Sequence, residues 1–171
     1  MQSKMVPRIM VLLLAFIFYC PTTASAGLFK VVRIYDGDTI KAVGHDIEIK
    51  VRLVGIDAPE TSKDKDKAGQ PFGRIAEKYL AGIVLNRVVD IKGYGSDRYG
   101  RILAEIYIDD RNINLEMVKS GYAEVYSGNP PRGFFIKAYK EAEAWARSAG
   151  QGIWSQGENY ISPALWRKTR K

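Results

Sequence analysis

Residues 29–54 read FKVVRIYDGDTIKAVGHDIEIKVRLV and carry the periodicity that decides the fold. Within residues 47–53, apolar side chains alternate with Glu48, Lys50 and Arg52. Strict alternation predicts a strand with one buried face and one face in water. Arg52 is therefore expected on the wet face with a side chain free to reach a ligand, because a buried arginine would need a paired carboxylate.

Two turns divide this stretch into three consecutive strands. Residues 44–46 separate a strand at 39–43 from the strand that follows, so these two form a hairpin. The turn at 36–38 separates the hairpin from a first strand at 29–35. His45 is interpreted as an exposed turn residue rather than a catalytic group.

The middle of the chain adds a helix and two more strands. Apolar residues at helical spacing predict a helix over 72–83, and strand composition returns at 88–92 and 102–108. Three strands, a helix and two strands, followed by further helices, match a five-stranded Greek-key β-barrel of the OB-fold type. The predicted class is α+β, with three helices, and loops of such barrels often bind oligonucleotides or oligosaccharides.

The other two predicted helices lie in the C-terminal half. Asn114 is expected to cap a short helix that Gly121 ends. A longer helix follows the loop at 128–133. Its expected apolar stripe consists of Phe135, Ala138, Ala142, Trp145 and Ala149.

The N-terminal 26 residues have the pattern of a secretory signal peptide. Lys4 and Arg8 precede an apolar run of 11 residues at 9–19, and small residues at 24–26 offer a cleavage site. A membrane-spanning helix needs about 20 apolar residues, so a retained anchor is the weaker alternative. We expect an exported protein, periplasmic or secreted, that begins near Gly27 and has no stable membrane association.

Composition narrows the chemistry of the mature chain. Cys20, the only cysteine, lies in the segment expected to be removed, which excludes disulfides and thiol nucleophiles afterwards. Residues 1–26 hold two basic and no acidic residues, so the remainder keeps 24 basic and 19 acidic residues, a net charge of +5. That excess favours polyanionic partners without proving them.

Three polar clusters lie at the ends of predicted strands. They are Asp36-Gly37-Asp38-Thr39, Arg52 followed by Asp57-Ala58-Pro59-Glu60-Thr61, and Asp97-Arg98-Tyr99-Gly100-Arg101. Each alone is compatible with an ordinary turn or charged loop.

In this order, together with Gly152-Ile153-Trp154 at the last helix, the clusters resemble the thermonuclease family, the staphylococcal-nuclease-like proteins. The resemblance covers about residues 29–154 and implies one domain over residues 27–160. Residues 161–171 form a basic C-terminal tail, whose charged end at 167–171 is expected to be solvated and disordered.

The resemblance implies a calcium site. It points to Asp38 and Asp57 as ligands, with the backbone carbonyl of Ala58 as a third and Asp36 in the outer shell. The residue after Asp57 is often Thr in the family, and alanine keeps the carbonyl while losing any hydroxyl contribution. The residue inventory agrees, since clustered carboxylates without thiols suit Ca²⁺ better than zinc.

The resemblance also implies the catalytic residues, namely Glu60 as general base and the two arginines Arg52 and Arg101. A guanidinium presents a planar fork that can make two parallel bonds to phosphate oxygens. Glu60 could either take a proton from the attacking water or only orient it, and the sequence leaves both roles open.

Expected substrate contacts are less well marked. Tyr99 matches a family tyrosine near the nucleotide, and Arg98 stands where lysine is common. Lys65 and Lys67 lie in the loop that flanks the substrate in the family. The family's Tyr-x-Tyr pair is out of register here, which leaves Tyr126 as the best candidate for stacking on a base.

The resulting hypothesis is a monomeric, Ca²⁺-dependent endonuclease that hydrolyses DNA and RNA, with 3′-phosphate ends implied by the resemblance. The first alternative is a non-catalytic OB-fold module that binds nucleic acid without cutting it. An envelope-associated structural domain is a second alternative, but it leaves the three polar clusters unexplained.

Overall fold

The computed structural model describes residues 27–62 and 68–169. The expected signal peptide and both loop lysines, Lys65 and Lys67, lie outside the described residues. No helix in the described part of the chain has both the length and the apolar character that crossing a membrane requires.

The described residues form strands, four α-helices and a 3₁₀ segment. The strands are β1 Leu28–Asp36, β2 Thr39–Gly44, β3 Ile47–Leu53, β4 Ile56–Asp57, β5 Val88–Ser96, β6 Ile102–Ile108, β7 Arg111–Asn112 and β8 Glu124–Val125. The helices are α1 Gly73–Val84, α2 Ile113–Lys119, α3 Lys137–Ser148 and α4 Pro163–Thr169, with the 3₁₀ segment at Gly152–Asn159.

Five long strands close into a barrel. Their order is β3-β2-β1-β5-β6, and a parallel pairing of β3 with β6 joins the two ends. The remaining neighbours in the barrel are antiparallel. The predicted α+β class and five-stranded barrel are confirmed.

The barrel is filled by the inward-facing residues that the alternation predicts. Val31, Ile40, Val51 and Leu53 are fully buried, and α1 covers β1 with its own buried side chains. Burial decreases toward the start of β3, where the Ile47 side chain is exposed. Because β3 is well buried only at its C-terminal end, the residues that follow it are firmly placed.

Two predictions about α2 and α3 are wrong in detail. Asn112, rather than Asn114, caps α2 by accepting a hydrogen bond from the Leu115 N–H at 3.0 Å. Asn114 lies inside the helix, fully buried, where it bonds to backbone groups of β6 and to the Val54 carbonyl after β3. On α3 the buried residues are Tyr139 and Ala146, while the stripe expected there leaves Phe135 and Trp145 exposed.

The expectation of a disordered C-terminal end is wrong for residues 167–169, which belong to α4. The Ser162 hydroxyl accepts a hydrogen bond from the Leu165 N–H at 3.2 Å, and Pro163 occupies the first helical position. Serine before proline is a common helix start, since serine caps a free N–H and proline has none to satisfy.

Candidate active site

Strand register brings the polar clusters to one end of the barrel. Thr39 is paired with Arg52, and Arg52 with Leu103, across three neighbouring strands. Asp38 directly precedes β2, and β4 follows β3 after a short turn and ends at Asp57. The loop that carries Arg101 directly precedes β6.

A tight turn at Gly37 holds Asp38 against Ala58, the residue that follows β4. A Cβ on Gly37 would lie 2.7 Å from the Ala58 Cβ, so only glycine permits this approach. The Asp38 carboxylate accepts hydrogen bonds from the Ala58 N–H at 2.8 Å and the Thr39 hydroxyl at 2.9 Å. The Asp36 carboxylate accepts one from the Asp38 N–H at 3.0 Å. Burial raises the pKa of Asp36, although Arg52 nearby opposes that rise.

Arg52 bridges the two buried aspartates. Its guanidinium forms an ion pair with Asp38 and donates to Asp57 Oδ1 at 2.8 Å. The Arg52 side chain is only 14% exposed, so the expected free side chain on the wet face is wrong. The loop after β3 covers that end of the strand, and burial requires the carboxylate partners that the alternation pattern could not reveal.

Glu60 lies beside this pair with its backbone fixed and its carboxylate accessible. The buried Gln70 side chain accepts from the Glu60 N–H at 3.1 Å, and the Gln70 N–H donates to the Glu60 carbonyl at 2.9 Å. A Cβ on Gly73 would lie 2.4 Å from that carbonyl oxygen, so the start of α1 packs directly on it. The Glu60 side chain is 36% exposed.

Arg167 of α4 is the main residue that the sequence did not predict here. Its guanidinium donates to Asp57 Oδ1 at 3.0 Å, to Asp57 Oδ2 at 2.7 Å and to Glu60 Oε1 at 2.6 Å. These hydrogen bonds raise the pKa of Arg167 further above its usual range. The Ser162-Pro163 pair could have signalled a helix, but nothing in the sequence indicates where its arginine lies.

Arg101 reaches the cluster indirectly. It donates to Asp97 Oδ2 from Nε at 2.8 Å and to the Thr39 hydroxyl at 3.4 Å. Thr39 in turn donates to Asp38. Burial acts to raise the pKa of Asp97, but hydrogen bonds from Arg101 and from the Tyr99 N–H outweigh it and lower that pKa.

The expected substrate residues lie at the rim. Tyr99 is 69% exposed, and the guanidiniums of Arg98 and Arg101 lie 4.9 and 5.6 Å from its ring centroid. Tyr126 is also exposed, and its N–H donates to the Gly55 carbonyl just before β4. Both tyrosines therefore flank the cluster from different loops, at positions where an aromatic ring is accessible.

Behind Asp57 lies a second buried acid, Glu124, its partner in the β4–β8 pairing. Burial raises the pKa of Glu124, and the charge of Asp57 adds to that rise. The Tyr160 hydroxyl donates a hydrogen bond to the Glu124 carboxylate. This bond fastens the segment that leads into α4 to the back of the site.

The oxygen donors of this cluster are of the kind that bind a hard cation. In this structure the carboxylates are paired with arginine side chains instead. Within residues 27–62 and 68–169, no three His, Cys, Asp or Glu side chains converge on a point that could hold a metal ion. Asp38 and Asp57 are nonetheless buried oxygen donors, and the Arg52 guanidinium between them shows that this gap accepts positive charge. Carboxylate and carbonyl oxygens are the ligands that calcium prefers.

Comparison with known proteins places the chain in a family. The family model described as "Staphylococcal nuclease homologue" matches residues 50–156. A Haemophilus influenzae protein named "Uncharacterized endonuclease" is 37% identical over 94% of this chain and 84% of its own. An Escherichia coli protein of the same name is 33% identical over 91% of this chain and 94% of its own. A further Escherichia coli protein, named "Protein ParB", is 35% identical over 81% and 78%. The chain therefore belongs to the staphylococcal nuclease family.

Proposed function

We propose that this protein is a calcium-dependent endonuclease that hydrolyses phosphodiester bonds in DNA and RNA. The observation that carries the proposal is the bridge of Arg52 between buried Asp38 and Asp57, next to an accessible Glu60. Family membership and the endonuclease relatives support a nuclease. Calcium dependence and the range of substrates are our extension of that finding.

Asp38, Asp57 and the Ala58 carbonyl are the proposed calcium ligands, with Asp36 in the outer shell. The ion, when bound, would polarise the phosphodiester and offset its negative charge. Both aspartates are buried, so their charges are weakly screened by water. The Ala58 N–H donates a hydrogen bond to the Asp38 carboxylate, which holds the two segments that carry the proposed ligands next to each other.

Arg52 and Arg101 are the proposed phosphate ligands. Hydrolysis increases negative charge on the equatorial phosphate oxygens, and a preorganised guanidinium stabilises that charge without solvent reorganisation. Arg52 would exchange its carboxylate contacts for phosphate oxygens once another cation neutralises Asp38 and Asp57. Arg101 is oriented by Asp97 and Thr39, so its position does not depend on the substrate.

Glu60 is the proposed acceptor of the water proton. The oxygen of that water bonds to phosphorus as the P–O5′ bond breaks, which leaves a 3′-phosphate, and the departing 5′-oxygen takes a proton from solvent. The exposed fraction of Glu60 gives water access to its carboxylate, and Gln70 prevents the backbone from moving away. Tyr99, Arg98, Tyr126, Lys65 and Lys67 are the proposed nucleic-acid contacts.

The proposed setting is the periplasm or the exterior of the cell, after removal of residues 1–26. The basic excess of the remaining chain would speed encounter with nucleic acid.

The test is cleavage of single-stranded DNA and of RNA by purified protein, with calcium varied and a chelator as reference. Glu60→Gln should lose orders of magnitude in rate, while Glu141→Gln on the exposed face of α3 should keep full activity. Undiminished cleavage in excess chelator would contradict calcium dependence. Salt-sensitive DNA binding without cleavage at any calcium concentration would favour the non-catalytic binding module.

A further inference from the structure

We propose that Arg167 sets the divalent-cation affinity of this site, because α4 is a latch that holds Asp57 and Glu60 until a cation displaces it. The inference rests on the proposed metal-dependent function and adds its regulation. Arg167 lies beyond residues 50–156, the segment that the family model matches. The latch is therefore a feature of this chain outside the matched segment.

The contacts leave little room for a cation at Asp57 while Arg167 is in place. Asp57 Oδ2 accepts from Arg167 at 2.7 Å, and Oδ1 accepts from both Arg167 and Arg52 at 3.0 and 2.8 Å. A cation that binds either oxygen must take the place of at least one guanidinium N–H. Two cations on one carboxylate also repel each other, so binding of one weakens the other.

The Arg167 guanidinium also binds the carboxylate of Glu60, the proposed general base. Arg167 donates to Glu60 Oε1 at 2.6 Å, so that oxygen is already engaged in a charge-assisted hydrogen bond. While Arg167 occupies this oxygen, an incoming water cannot use it as a hydrogen-bond acceptor. One side chain thus opposes metal binding and base catalysis together.

The latch is anchored by the segment that precedes it. Gln70 donates to the Ile161 carbonyl at 2.7 Å, and Tyr160 is bonded to Glu124. The Tyr160 ring also packs on Trp154, with centroids 4.6 Å apart. Gln70 is the residue that clamps the Glu60 backbone, so the base and the latch share one support.

Release needs only a local change. α4 has seven residues, and isolated helices of that length are marginal in water. The Arg167 side chain is 40% exposed, so it can swing into solvent while residues 160–162 stay anchored. The structure therefore combines a fixed hinge with an exchangeable charge at its end.

The experiment is calcium titration by calorimetry on the full chain and on Arg167→Ala, with Lys168→Ala as the matched control. Lys168 is an exposed cation on the same helix, so its removal changes charge equally. Loss of the Arg167 bonds should lower the calcium Kd about tenfold. Lys168→Ala should leave the Kd within about twofold.

Equal calcium affinity in the parent chain and Arg167→Ala would overturn the latch while leaving the nuclease proposal intact. If calcium binds to none of the three proteins, both the proposed metal dependence and the latch are overturned. Cleavage rates give a second readout, since Arg167→Ala should be faster at low calcium and equal at saturation. A raised KM for DNA at saturating calcium would instead make Arg167 a substrate contact and refute the latch.

Discussion

Replacing Arg52 by methionine tests the central ion-pair bridge through stability rather than catalysis. Methionine keeps an unbranched side chain of similar reach but removes the charge. Asp57 retains Arg167, whereas Asp38 loses the guanidinium that pairs with it and keeps the hydrogen bonds that Thr39 and Ala58 donate. Loss of one member of a buried pair costs about 3–5 kcal/mol, and Asp38 is almost wholly inaccessible to water.

We expect the free energy of unfolding in urea to fall by about 3 kcal/mol without calcium. With an m-value of about 1–3 kcal/mol/M, the midpoint would move by roughly 1–3 M. Added calcium should recover part of the loss, because a bound cation can neutralise Asp38. Lys50→Met, on the same strand but exposed, removes a cation 4.4 Å from the Tyr35 ring and should cost under about 1 kcal/mol.

A loss below about 1 kcal/mol for Arg52→Met would refute the argument, since an ordinary exposed arginine costs no more than that. A large loss that calcium does not reduce would show that the bridge is structural and that the gap between the aspartates does not take the metal.

Three further outcomes follow from the same contacts. Gly73→Ala should lower the cleavage rate by about a hundredfold, because the new Cβ meets the Glu60 carbonyl at 2.4 Å and shifts the proposed base. Gly82→Ala, whose Cβ meets nothing within 4 Å, should keep full activity and gain about 1 kcal/mol in urea unfolding. Arg101→Lys should lose about 10²–10³ in kcat while its thermal midpoint stays close to that of the parent. Four side chains donate hydrogen bonds to Glu105, which outweigh burial and lower its pKa below the ordinary 4.5. That contribution is present above pH 4.5 and is lost as pH falls through the folded pKa, so urea midpoints should drop on acidification and drop less in Glu105→Gln.

The barrel could be predicted from the sequence because alternation of apolar and polar residues along each strand is a local pattern. In the C-terminal half of β3 each second residue faces the core, and Val51 and Leu53 are buried as the alternation requires. The same rule failed for the environment of Arg52, because that depends on Asp38 and Asp57, which arrive through turns rather than through strand spacing. The order of the motifs pointed to Asp38 and Asp57 as candidate site residues. Only the fold shows that Arg52 forms ion pairs with both.

The C-terminal helices show a different limit. The stripe expected for α3 proved to be exposed at Phe135 and Trp145. The helix instead packs on α2, β8 and the 3₁₀ segment, and it buries Tyr139 and Ala146. Arg167 lies 110 residues from Asp57, and a charge run at a chain end is usually solvated. No local pattern encodes which distant carboxylate meets such a residue.

The exposure of Arg52 and Arg167 predicts which guanidinium the proposed divalent cation would displace first. A cluster with Asp38, Asp57 and Glu60 needs positive charge nearby whenever no metal is bound, and Arg52 and Arg167 supply it. Arg52 is 14% exposed and enclosed by the strand exit, so moving it would leave Asp38 buried and unpaired. Arg167 is 40% exposed and ends a short helix, so its release returns one charge to water at small cost. In calcium titrations followed by solvent accessibility of individual arginines, Arg167 should therefore become accessible before Arg52. The reverse order would mean that the barrel end, rather than α4, opens to admit the ion.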